Sequence, residues 1–352
     1  MSHSLPCLPA EWSEQSAVML TWPHPATDWR AILPEVEPLY LEIARQIAAR
    51  QSLLIVCHDR TLQTRVLSLL QQAEIPLEHV ITAIAPCNDT WARDHGPLTV
   101  LTDAGPRLCD FRFNGWGGKF EANLDDRITA NLYSAGLFGD AEYELADMVL
   151  EGGAIETDGK GTLLATSHSI VTTTRNPDLD RAAVERLLTT HLGLQRFLWL
   201  EHGHLSGDDT DGHIDTLARF ADPHTILYAT AYEDDPDHAG LAAMAEELAT
   251  FRQTDGQPYR LVPLPPISPQ FGEDGARLPA GYANFLVING AVLLPVYGDR
   301  NDHVALECLR HAFPDREIVP LDCRPLVHQN GSLHCITMQF PKALTISDGS
   351  SS

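Results

Sequence analysis

Four short apolar runs, LLIVC (53–57), TILYA (225–229), FLVIN (285–289) and AVLLPV (291–296), stand out along the chain and read as buried strands. Elsewhere apolar residues recur at helical spacing, over 35–50, 178–191, 237–251 and 304–313, and predict helices packed by one face. The two runs flanking Asn289-Gly290 predict a hairpin with a two-residue turn of the kind that favours φ > 0. Mixed units of this sort imply an α/β architecture with some antiparallel pairing, rather than a purely parallel doubly wound sheet. The Pro- and Gly-rich stretch 261–282 reads as a long surface loop or lid. With no low-complexity linker, one domain over 1–352 is expected, fraying at about 345–352. No sequence repeat is visible, although evenly spread α/β units leave room for a structural one.

Charge narrows the function. The 352 residues hold 24 Lys plus Arg against 48 Asp plus Glu, a formal charge of −24, so the field attracts cations and repels phosphates. Nucleic acid and anionic membrane are thereby disfavoured as partners. The opening MSHSLPCLPAEWSEQ has no basic segment followed by an apolar run, and no later stretch reaches the ~18–20 apolar residues that span a bilayer. A cytoplasmic protein is expected. Its seven cysteines are an odd set without a CxxC pair, which speaks against a disulfide framework and a thiolate zinc site.

Polar, chemistry-bearing residues gather in four segments. In NDTWARDHGP (88–97), Trp91, Arg93 and Asp94 lie close together; they either line a site or form a surface ion pair over a packed ring. In MVLEGGAIETDGKGTLL (148–164) an apolar run delivers Glu151 into Gly152-Gly153, where the carboxylate orients a partner or solvates the turn. In EHGHLSGDDTDGHIDTLARF (201–220), an extended His213-Ile214-Asp215 would project imidazole and carboxylate to one face. In GSLHCITM (331–338), an extended LHCIT would turn His334 and Cys335 to opposite faces. His334 is then a poor base for its neighbour, and His213 the better candidate. Cys335 itself reads either as a nucleophile or as one more buried cysteine.

Taken in order, TWARDHGP, LEGG, GHID and GSLHCITMQ, with FRFNGWGGK (111–119), TRNP (174–177) and YANFLVINGAVLLPVYGD (282–299) between them, resemble the agmatine deiminase family, which also bears the label of Porphyromonas-type peptidyl-arginine deiminase. The resemblance extends from TWPHPATDWR (21–30) to HCITMQFP (334–341). It implies a five-bladed, pentein-like α/β propeller of ββαβ units around a central polar channel. It further implies Cys335 as nucleophile, His213 as general acid/base, Glu151 orienting that histidine, and Asp94 and Asp215 clamping a guanidinium. Trp91, Arg93 and Trp116 would complete the substrate site. The implied activity is hydrolysis of agmatine, a small cationic guanidino substrate of polyamine biosynthesis, with no cofactor or metal and with a homo-oligomer as one option. Free or peptidyl arginine is the alternative substrate. Two departures touch substrate choice: VHQNGSLHC (327–335) replaces a glycine-rich run, and GHLSGDDTDGHID (203–215) carries extra polar bulk.

Two other classes fit parts of the sequence. His202, His204, Asp208, Asp209, Asp211, His213 and Asp215 would supply a metal hydrolase with ligands, though without HExxH or EF-hand spacing and without a task for the cysteine segment. A non-catalytic acidic binding module is the other.

Overall fold

Residues 15–21, QSAVMLT, show how the core is built. Val18 and Leu20 enter one buried cluster, while Ala17 and Met19 enter another on the opposite face of the strand. Its neighbour Ser52–Cys57 divides likewise, Leu53, Ile55 and Cys57 against Leu54 and Val56. A sheet covered on both faces explains why such strands read as continuous apolar runs rather than alternating ones. The structure is a computed structural model and describes residues 5–347.

Five sheets share one pairing order, an antiparallel pair followed by a parallel one, giving a mixed α/β fold. Thr337–Pro341 runs antiparallel to Gln15–Thr21, which pairs in parallel with Ser52–Cys57, and that strand in turn with Val80–Ile84. Leu98–Thr102, Gly105–Arg112 and Glu142–Val149 form the next sheet, and Glu156–Thr157, Thr162–Thr166 and Arg196–Leu200 the third. Ala218–Asp222, Thr225–Tyr228 and Arg260–Pro263 form the fourth, and Leu286–Ile288, Ala291–Val296 and Glu317–Asp322 the fifth. The first of these sheets draws strands from both ends of the chain. No single sheet closes on itself among the described residues.

The expected helices are present with shifted ends, at Leu33–Ala48, Arg181–Leu192, His238–Thr250 and Asp302–Ala312. The hairpin at Asn289-Gly290 is also present, pairing Ile288 with Ala291, and Gly290 has φ 72°. The stretch 261–282 is more structured than a loop. Its start completes Arg260–Pro263, Gln270–Phe271 and Arg277–Leu278 pair in a small hairpin, and Ala280 and Tyr282 are buried. Of the expected frayed tail, Ile346 packs on the core and Ser347 N–H donates to the Leu137 carbonyl at 2.9 Å; residues 348–352 lie outside those described.

Candidate active site

The chemistry-bearing residues occupy one recurrent place. Asp94, Glu151, His213 with Asp215, and Cys335 each lie a few residues ahead of the first strand of a sheet, so the repeat delivers them to a common end of the fold. The fifth sheet obeys the same rule with Asn284, just before Leu286–Ile288. Asn284 was not among the sequence candidates. Its Oδ1 accepts from the His334 N–H at 2.8 Å and lies 3.5 Å from Cys335 Sγ. Asn284 lies in the YANFLVING segment, and the recurrence of the offset is the signal that singles it out there.

Cys335 lies in a turn that precedes Thr337–Pro341, not in a strand, so the period-two argument for LHCIT does not apply. The conclusion about His334 stands for another reason: both its nitrogens are committed, Nδ1 to Asp215 Oδ2 and Nε2 to Glu11 Oε2, each at 2.7 Å. Cys335 Sγ meets the same Asp215 oxygen from 3.8 Å. His213-Ile214-Asp215 is likewise not extended; His213 caps a 3₁₀ turn over Ile214–Thr216. That turn still brings imidazole and carboxylate together.

Gly153 marks the point of convergence. A Cβ there would lie 2.6 Å from His213 Nδ1, 2.8 Å from Asp94 Oδ1 and 3.2 Å from Asp215 Oδ2. Gly152 is excluded from having a side chain by the Arg93 carbonyl, 2.2 Å from its would-be Cβ. The paired glycines therefore serve close approach rather than the turn itself. Gly153→Ala is expected to displace His213 or Asp94 and lower kcat/KM by about 100-fold or more, a loss of the kind that misplacement by an ångström causes. Steady-state kinetics on a variant of unchanged circular dichroism would test it.

Each side chain has its own support. Asp94 Oδ1 accepts from the Gly153 N–H at 3.0 Å and Oδ2 from Trp116 Nε1 at 2.9 Å, which fixes the carboxylate plane. His213 faces two carboxylates, Nδ1 to Asp94 Oδ1 at 3.6 Å and Nε2 to Glu151 Oε2 at 4.0 Å. Glu151 is held more tightly by Arg175, whose Nε donates to both its oxygens at 2.8 and 2.9 Å. Arg175 Nη1 continues to Asp211 at 2.8 Å. Asp215 Oδ1 and His213 Nε2 are buried and take no hydrogen bond from the described residues, two polar atoms still to be satisfied.

Burial raises both acids, and their neighbours then separate them. It pushes Asp94 up to about 6, with the charges of Asp215 and Glu151 adding to the shift and His213 opposing it. For Asp215 burial also acts upward, but the hydrogen bond and charge of His334, with His213, outweigh it and hold the carboxyl below its ordinary value. Cys335 is driven well above the usual thiol range by burial and by Asp215 and Asp94.

A cavity of about 510 Å³ reaches Cys335 and Asp94. Trp91, Trp116 and Phe120 wall it, and Asp28, Asp89, Asp208 and Asp209 add carboxylates. Gly331 is required beside Trp91, since a Cβ would fall 2.1 Å from the ring. The two sequence departures meet here: Gln329, Asn330 and Asp209 all line the cavity, and Asn330 Nδ2 donates to Asp209 Oδ2 at 3.3 Å. Arg93, expected among the substrate contacts, is turned away. Its buried guanidinium packs towards the His334 carbonyl and Met338, while its backbone N–H donates to the Cys335 carbonyl at 3.1 Å and so braces that turn.

The proposed metal-ligand set in 202–215 is dispersed. His202 binds Glu247 at 2.7 Å, Asp208 braces its own loop, Asp211 is paired with Arg175 and Lys119, and Asp215 with His334. Among the described residues only His24, His58 and Cys87 bring three potential ligand atoms together.

The sequence pattern of the family described as Porphyromonas-type peptidyl-arginine deiminase matches residues 7–341. A Selenomonas ruminantium protein named "Putative agmatine deiminase" is 33% identical over 359 residues, covering 95% of each chain. Among solved structures, one named "Putative Arginine Deiminase from Porphyromonas gingivalis" superposes with a TM-score of 0.90 at 48% identity, covering 97% of this chain and 99% of that one. The agmatine deiminase of C. jejuni with substrate bound gives 0.87 at 34%, covering 98% of each. A buried cysteine and histidine set among carboxylates, on this fold, defines the class as hydrolases acting on a guanidino C–N bond. The chain belongs to the Porphyromonas-type peptidyl-arginine deiminase family, which includes the agmatine deiminases. Among the described residues no helix is long and apolar enough to cross a membrane.

Proposed function

We propose that the protein is an agmatine deiminase, converting agmatine and water to N-carbamoylputrescine and ammonia through a covalent amidino-cysteine. The observation that carries the choice of substrate is the charge of the cavity. Asp28, Asp89, Asp94, Asp208 and Asp209 line it, and among the described residues no Lys or Arg does. Agmatine is cationic at both ends, so its guanidinium suits the inner carboxylates and its amine the outer ones. Free arginine would bring a carboxylate against an acidic wall. The cations that could receive it are engaged: Lys119 and Arg175 on Asp211, and Arg300 over the Tyr232 ring.

In this reading Asp94 and Asp215 hold the guanidinium, with Asp215 Oδ1 gaining the donor it lacks among the described residues. The Cys335 thiol gives up its proton only beside a cation, and the bound substrate supplies one. The thiol proton passes to His213, the thiolate attacks the guanidinium carbon, and His213 returns that proton to the departing nitrogen so that ammonia leaves. Water then loses a proton to His213 and attacks the same carbon; collapse expels the thiolate and releases the ureido product. Glu151, fixed by Arg175, keeps the imidazole in place. The reaction needs no cofactor. We further infer one catalytic domain over 1–352, with the five sheets as blades of a propeller around this site, working in the cytoplasm in polyamine synthesis, alone or as a homo-oligomer.

Ammonia release from agmatine, free arginine and a peptide with C-terminal arginine, measured side by side, tests the reading. A kcat/KM for agmatine at least about 100-fold above the others is expected. Comparable turnover of arginine or the peptide would overturn the substrate choice. The pH dependence follows from Asp94: its carboxylate is needed charged and its pKa is raised to about 6, so kcat/KM should fall as pH drops through about 6. Asp209, also raised to about 6 by burial and by Asp208, should steepen the fall for a substrate with a distal amine. A profile flat between pH 5 and pH 7, each taken as about one unit either side of that value, would contradict the clamp.

A further inference from the structure

Strands Gln15–Thr21, Ser52–Cys57 and Val80–Ile84 are mutually parallel, so their C-terminal ends share one edge of the sheet. The crevice outside the carboxyl ends of parallel strands is where α/β folds commonly hold ligands. Here His24, His58 and Cys87 each follow one of these strand ends. None has a task in the mechanism above. We propose that these three side chains form a binding site for a borderline-soft divalent cation of the zinc class, with its fourth coordination position open to solvent.

The geometry is that of a site needing little rearrangement. Four-coordinate zinc, with Zn–S of about 2.3 Å and Zn–N of about 2.0–2.1 Å, sets S···N separations of roughly 3.6 Å. Cys87 Sγ lies 3.5 Å from His24 Nε2 and 3.9 Å from His58 Nδ1. The potential ligand atoms all fall within 4.8 Å of one another, and the two imidazoles stack with centroids 4.3 Å apart. His24 and Cys87 are buried and His58 half-buried, so the set is constrained on the protein side. An open cavity of about 800 Å³ adjoins all three and provides the fourth position.

Donor type selects the ion. One thiolate and two imidazoles suit zinc, cobalt or copper and are poor ligands for magnesium or calcium. The charges of Asp59, Asp89 and Asp125 reach Cys87, which favours a dication over neutral occupancy. Binding has two costs: the thiol proton leaves, and His58 Nδ1 gives up the hydrogen bond it accepts from the Cys87 N–H at 3.1 Å. The site is also connected to the substrate cavity. Asp28, Asp89, Trp116 and Phe120 line both, and Cys87 begins the segment that leads to Trp91 and Asp94.

Cobalt(II) reports ligand type directly, and the Cys335→Ser protein removes the competing active-site thiol. Titrating that full-length variant with Co²⁺ should give one saturable equivalent, with intense visible bands of a four-coordinate ion and a sulfur-to-metal band, both bleached by Zn²⁺. Adding Cys87→Ser should abolish the sulfur band. Adding His58→Ala, a half-buried position whose loss the fold tolerates more readily, should weaken Co²⁺ binding at least about 10-fold. Absence of saturable binding, a sulfur band that survives Cys87→Ser, or unchanged affinity in His58→Ala would each overturn the proposal. If Cys87→Ser fails to fold, the His58→Ala titration decides alone. The measurement needs no turnover, so its outcome is independent of the substrate assignment.

Discussion

Cys335→Ser is expected to lower turnover of agmatine by about 10⁴-fold or more while leaving agmatine binding within a few-fold. The two effects separate because the substitution changes one atom. In the proposed scheme the guanidinium contacts belong to Asp94 and Asp215, whose supports are the Gly153 N–H, Trp116 and His334 rather than the thiol. The proposed nucleophile is lost, however: a serine hydroxyl beside Asp215 is far harder to ionise than a thiol that is already held protonated by burial and those same carboxylates. Binding by calorimetry and turnover by ammonia release would be measured on the same protein. Retained turnover would sink the covalent scheme, as would an acid-quenched wild-type adduct found on a residue other than Cys335. Loss of binding together with turnover would instead mean that the turn at Leu333–Ile336 had been disturbed.

Fold class was legible because the strands are covered on both faces: LLIVC and AVLLPV are apolar throughout and bounded by helical patterns. The residues that the fold gathers around Gly153 were legible too as candidates, since turn glycines isolate them in short motifs. Their local geometry was not. LHCIT and HID carry strand-like sequences, but Cys335 lies in a turn whose His334 N–H is held by Asn284, distant in the chain, and His213 caps a 3₁₀ turn, its N–H held by the nearby Thr210 hydroxyl. Period-two reasoning applies only where a ladder sets the backbone. The supporting residues were hidden for a related reason. Glu11, Arg175, Arg219 and Asn284 act through contacts with residues far away in the chain, and although TRNP and YANFLVING hold two of them, nothing in those motifs shows which partners they take. Arg93 shows the converse: a charged residue inside a candidate motif whose side chain points towards the His334 carbonyl and Met338 and does not line the cavity.

Arg219→Met should be the most destabilising substitution outside the substrate contacts, by about 3–5 kcal/mol, because it breaks a buried charge network from one side. Arg219 is 1% exposed and donates from Nε to Glu156 at 2.7 Å, from Nη2 to Glu11 at 2.6 Å, and from Nη1 to the Phe285 carbonyl at 2.8 Å. Glu11 also accepts from the Val287 N–H at 2.7 Å and contacts His334, so the network runs into the hydrogen bond that holds Asp215. Burial already raises the pKa of Glu156, with Arg219 as the main counterweight. Without the guanidinium, Glu156 would bind its proton still more tightly folded than unfolded, and Glu11 would lose one of the charges that lower its pKa. A raised folded pKa means that stability falls as pH rises through the interval above the unfolded value, about 4.3 for glutamate. The deficit against wild type should therefore be larger at pH 8 than near pH 5, these values standing roughly at the top and the foot of that interval. Urea denaturation at both pH values measures it, and adding Glu156→Gln should restore part of the loss by removing one unpaired charge. A urea midpoint equal to that of wild type at both pH values would mean that this network neither supports the fold nor anchors the active-site end of the sheets.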